Sequence, residues 1–165
     1  VGTSVHRLRR EGASTLVEFA LIAPILLLLL FGILETARLV FATTAVWTAA
    51  REGARFATTV DAAGGTPNYL DCAEIKAAAR AKIVTRITDG AISVLYRDAA
   101  GSQVADCDLG PAPTAALVPS GSSVEVTVTG TYDAIVPIVG AFLDGVGLDS
   151  RQTRTIFVEE EVGGP

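Results

Sequence analysis

At 165 residues, half of them hydrophobic and with a mean hydropathy of +0.46, the chain has room for one membrane segment and one modest soluble domain, but not for two domains. Thirteen basic against eighteen acidic residues give a net charge of −5; setting aside residues 1–12, with Arg7, Arg9, Arg10 and Glu11, takes the remainder to −7, which argues against nucleic acid as a ligand. The single histidine, His6, lies in that basic stretch, so the rest of the chain holds no His-based triad and no His-ligated metal site.

From Ala13 to Leu34 the chain reads ASTLVEFALIAPILLLLLFGIL, broken by one carboxylate, Glu18. A bilayer core of about 30 Å needs roughly 20 helical residues, so residues 13–34 form a candidate transmembrane helix. Arg7, Arg9 and Arg10 precede it, while Glu35 and Arg38 behind it cancel. The positive-inside bias then makes residues 1–12 a basic cytoplasmic leader and residues 35–165 an exported domain, in a single-pass protein of the cell membrane. A cleaved secretory signal has a shorter apolar region and a small-residue exit, and neither is present. A plain signal anchor gives no reason for Glu18, because an ionisable group in a membrane helix is costly and points to function; near the cytoplasmic face it can also snorkel. Pro24 removes one backbone bond inside the span, and a kink is expected there.

The helical pattern continues from Glu35 to about Val60 without proline, and Ala42, Ala45, Ala49, Gly53 and Ala57 place small residues on one face. Such a face lets another element approach closely, either the chain's own sheet or a helix of a neighbour. On the first reading Trp47 and Phe56 are core residues, and Arg51, Glu52 and Arg55 form a charged edge with a Glu52–Arg55 pair.

The sequence RREGASTLVEFALIAPILLLLLFGILETARLVFATTAVWTAAREGARFA closely resembles the start of the TadE-like family, pseudopilin-type proteins of tight-adherence (Flp-type) pilus systems. The elements that carry the resemblance are the basic leader ending near Gly12, Val17-Glu18-Phe19, Pro24, Phe31-Gly32 and the Ala50–Arg55 segment. It implies an inner-membrane component of pilus assembly without enzymatic activity or cofactor, whose partners are a prepilin-type peptidase, other pilin or TadE-like subunits and the inner-membrane pilus machinery. Prepilin-like proteins are cut after a small residue so that the glutamate is fifth in the mature chain. A cut after Gly12 makes Glu18 sixth, and a cut between Ala13 and Ser14 makes it fifth. The new amine would then lie close to Glu18, where opposite charges offset each other's desolvation. The alternative is an uncut anchor.

Beyond a turn-rich stretch at 61–68, AEIKAAARAKIVTRI predicts a second helix over 73–87, capped by Asp71 or Asp61 and stopped at Asp89-Gly90, with Ala73, Ala77, Ala81, Val84 and Ile87 as its apolar stripe. AISVLYRD reads as a strand, and AAGSQVADCDLGPAPTAALVPSGSS as an Ala/Gly/Pro/Ser loop. SSVEVTVTGTYD alternates, with Val124, Val126 and Val128 on one face and Glu125, Thr127 and Thr129 on the other; TRTIFVEE is a last strand. The pattern predicts an α+β fold, a long N-terminal helix packed on a small antiparallel sheet of about three strands, in a pilin-like arrangement. The resemblance supports this through the family's looser C-terminal pattern of a strand, an apolar interruption and a final strand rich in Arg and Glu.

Cys72 and Cys107 are the only cysteines, and on the exported side they read as a disulfide closing a loop of about 35 residues, worth roughly 3–4 kcal/mol by the chain-entropy account; two buried free thiols are the alternative. AIVPIVGAFLDGVGL is too short and too interrupted by Pro137, Gly140, Asp144 and Gly145 for a second span. It is expected in the core, with an exposed tip touching the membrane surface or a partner as the alternative. The acidic pairs Asp106/Asp108 and Asp144/Asp149 and the run Glu159–Glu161 lack calcium-loop spacing and read as solvated charge. A stand-alone membrane-anchored binding module, whose acidic domain captures an extracellular ligand, is the contrasting function.

Overall fold

The computed structural model describes residues 3–59, 66–83, 87–143 and 145–157, with side chains from residue 15 in the first segment and from residue 90 in the third. The 61–65 part of the predicted turn, and with it Asp61, Val84, Asp144 and Glu159–Glu161, lies outside the described residues.

One helix, α1, runs from Thr3 to Ala57 and continues through Pro24. Its threonines do not interrupt it, because their hydroxyls donate back into the helix: Thr36 to the Gly32 carbonyl and Thr44 to the Val40 carbonyl, both at 2.8 Å. A 3-10 turn at Asn68–Leu70 leads into α2, Cys72–Arg80. Asp71 caps α2, its side chain accepting from the Ala73 and Glu74 amides. Four strands follow: β1 Ile87–Arg97, β2 Gln103–Asp106, β3 Ser123–Tyr132 and β4 Val146–Thr155, with a short helix α3, Pro137–Leu143, between the last two. The sheet order is β2-β1-β3-β4 and every neighbouring pair is antiparallel. The predicted α+β class, a long helix on a small antiparallel sheet, is what the chain adopts.

The core lies between α1 and α2 on one side and the inner face of the sheet on the other. Ala42, Val46, Ala49, Ala50, Ala54 and Ala57 of α1 meet Val94, Tyr96, Val124, Val126 and Val128, with Ile75 and Ala79 of α2 completing the layer. Small residues allow this approach: a Cβ on Gly53 would stand 3.1 Å from Val126 Cγ1 and 3.2 Å from Ala79 Cβ. The Tyr96 hydroxyl donates to the Tyr69 carbonyl at 2.6 Å, which ties the turn before α2 to the sheet.

Several expectations require correction. The second helix ends at Arg80, and Ile87–Gly90 belong to β1. Five of the six residues from 83 to 88 are β-branched and favour an extended chain, and Asp89-Gly90, which reads as a helix stop, lies where Thr88 pairs with Thr131 but Ala91 with Thr129, a bulge of one extra residue. The buried positions of α2 are Ile75 and Ala79, whereas Ala73, Ala77 and Ala81 are exposed. The sheet has four strands because Gln103–Asp106, inside the presumed loop, pair with β1. The final strand starts at Val146 rather than at Thr153. Trp47 is 47% exposed, turned away from the small-residue stripe and stacked under the Arg51 guanidinium at 5.3 Å; Phe56 is partly buried. Finally, Ile135, Ile138 and Phe142 are exposed rather than in the core, because α1 and α2 already cover the inner face of the sheet and α3 lies past its end.

Candidate functional site

Among the described residues, none covers α1 between Thr15 and Leu34. Every large apolar side chain from Leu16 to Leu34 is exposed, and the helix from Thr15 is long and apolar enough to cross a membrane. Glu18 lies on this uncovered stretch, and the backbone at Gly12, Ala13 and Ser14 is helical.

Burial begins abruptly at Glu35, which is only 1% exposed. Three donors converge on its Oε1: the Tyr132 hydroxyl at 2.7 Å, Arg38 Nη1 at 2.9 Å and the Ile135 amide at 3.0 Å. Arg38 also lies over the Tyr132 ring, 5.9 Å from its centroid. Burial alone would raise the Glu35 pKa, but the Tyr132 and Ile135 hydrogen bonds and the Arg38 charge outweigh it and hold the carboxyl below its ordinary value. The site is a clamp where the uncovered helix becomes the spine of the head. In the sequence Glu35 reads as half of a cancelling charge pair; the local signal is a carboxylate directly after the apolar run that ends at Leu34.

Above the clamp, Ala42, Ala45, Ala49, Gly53 and Ala57 are all buried, with Ala42, Ala49 and Ala57 in the core and Gly53 against Val126 and Ala79. The opposite side of α1 remains open: Val40 is 58% and Phe41 55% exposed. Glu52 and Arg55 form a two-point ion pair at 2.7 and 2.9 Å; the Arg55 hydrogen bond is the largest influence on Glu52 and lowers its pKa.

Cys72 and Cys107 are joined by a disulfide, their Cα atoms 5.7 Å apart, which fastens the loop after β2 to the start of α2. A Lys76–Asp108 ion pair bridges the same two elements. Asp106 is a loop cap, its Oδ1 accepting the amides of Asp108 at 2.7 Å and Leu109 at 3.2 Å. Glu125, on the outer face of the sheet, lies between Arg97 and Arg151, each at 3.4 Å. Among the described residues no group of three or more His, Cys, Asp or Glu is placed to hold a metal ion.

Fold and site together describe a head carried on one helix whose stretch from Thr15 to Leu34 is uncovered and, apart from Glu18, largely apolar. Residues 13–55 match the family described as TadE-like protein. The matched segment is this helix, from the start of the uncovered stretch to the last turns of the spine, and stops short of α2 and the sheet, so the resemblance read from the sequence is shown over it. No curated protein and no solved structure matches the chain.

Proposed function

We propose that the chain is a non-catalytic, membrane-anchored pseudopilin-like component required to assemble tight-adherence pili. The observation that carries this reading is that the TadE-like match falls on α1, whose large apolar side chains are exposed from Leu16 to Leu34 and which leaves Val40, Phe41 and Trp47 exposed beyond them. Residues 13–34 span the inner membrane, residues 1–12 stay in the cytoplasm, and the head from residue 35 onward lies outside it. A prepilin-type peptidase removes the leader, giving a membrane form that starts at Ala13 or Ser14, which intact mass reads directly. Glu18 then faces the new amine of this chain or of a neighbour, and the function lies in contacts with other pilin or TadE-like subunits and the membrane machinery.

The test is deletion of the coding sequence, with surface pili counted. Loss of pili restored by the wild-type chain supports the function, and undiminished piliation in the deletion strain refutes it.

A further inference from the structure

Residues 134–143, Ala-Ile-Val-Pro-Ile-Val-Gly-Ala-Phe-Leu, carry no charged or polar side chain. Ile135 is 71%, Ile138 67% and Phe142 84% exposed. Ile138 and Phe142 are four residues apart in α3 and share a face, while Gly140 is buried and Leu143 packs on the core, so the segment has an inner side and an uncovered apolar side. A continuous apolar surface of this kind marks a contact.

Its position decides what covers it. β3 runs down α1, from Val126 beside Gly53 to Tyr132 beside Glu35. The chain then passes directly into Ile135, whose amide is on Glu35, and returns at Gly145, whose amide donates to the Tyr132 carbonyl at 3.1 Å. The α3 tip is therefore held at the level of Glu35, one residue past the end of the uncovered apolar helix. A bilayer crossed by residues 13–34 ends at that level.

We propose that α3 is a second membrane contact, lying in the headgroup–acyl boundary on the head side of the bilayer that residues 13–34 cross, with Ile135, Ile138 and Phe142 as the inserted side chains. The inference rests on reading residues 13–34 as a span. Shallow insertion of an apolar helix face, roughly 5–10 Å deep, is the ordinary geometry of an interfacial helix. Here it adds a second attachment point beside the first and fixes the rotation of α1 about its axis, and so which side of the spine is offered to neighbours. The Glu35 clamp is the rigid link between the two points.

The full chain carrying Trp47→Phe, reconstituted in vesicles of phosphatidylethanolamine and phosphatidylglycerol with phosphatidylcholine brominated at shallow acyl carbons, tests this by tryptophan quenching. Three further substitutions are compared in that background: Phe19→Trp in the span, Phe142→Trp in α3, and Phe157→Trp, 78% exposed at the opposite end of the sheet. All three positions are open, so the exchanges leave the core untouched. The expected result is loss of emission in the Phe19→Trp and Phe142→Trp chains and none in the Phe157→Trp chain. Quenching of the Phe19→Trp chain alone would overturn the α3 contact and leave the span standing, including the case in which α3 packs on a second copy. Absence of quenching in the Phe19→Trp chain would overturn the span and the α3 contact together.

Discussion

Glu35 is a carboxylate almost sealed from solvent, and its stability rests on the donors that face it. A hydrogen bond to a charged group contributes about 1.5–3 kcal/mol, so Tyr132→Phe should destabilise the head by that amount in unfolding experiments on the chain in detergent. The folded pKa of Glu35 lies below the unfolded value of 4.5. Its contribution is therefore present above that value and lost as pH falls through the folded pKa. Tyr132→Phe, which removes a lowering influence, should move the acid unfolding limb to higher pH, and an unmoved limb would show that the clamp carries no weight. Glu18 makes a different forecast. If it merely marks the cytoplasmic interface, Glu18→Gln leaves pili unchanged; if it offsets a cationic group on a neighbour, insertion and cleavage survive while pilus output and crosslinking to partner subunits fall.

At the scale of elements, the disulfide and the Lys76–Asp108 pair fix the loop after β2 to α2, which otherwise touches the sheet mainly through Ile75 and Ala79. Cys107→Ser should cost about 2–5 kcal/mol, the range for native disulfides of small secreted domains, and alkylation under denaturing, non-reducing conditions should label no thiol in the wild-type chain. Two labelled thiols on exported protein would contradict this. Which elements were legible follows from how local their determinants are. The helix through the apolar run and the alternation of Val124, Val126 and Val128 depend on residues within a few positions and were legible, and of the two cap candidates, Asp71 and Asp61, Asp71 caps α2. Strand β2 is four residues in an Ala/Gly/Pro-rich stretch, and its identity comes from pairing with β1. The Glu35 clamp was illegible because Tyr132 is 97 positions away. Composition showed that residues 134–143 are apolar, but which side stays uncovered depends on where α1 and α2 end.

For the whole molecule, one helix has two parts of different character. From Leu16 to Leu34 it exposes large apolar side chains all round, Glu18 apart, as a lipid-facing helix does; from Glu35 to Ala57 it buries a stripe of alanine and glycine and leaves Val40, Phe41 and Trp47 open on the other side. The head thus takes up only part of the helix above the span, and the open part is the surface through which the account has the chain act on other subunits. The most direct measurement is site-specific photo-crosslinking in piliated cells, with a benzophenone amino acid at Phe41 and, as a control, at Leu109, which is 94% exposed on the far loop. An adduct between the Phe41-substituted chain and another pilus subunit is expected, and none from Leu109. A Phe41-substituted chain that reaches normal membrane levels and supports piliation, yet forms no adduct with any pilus subunit, would contradict it.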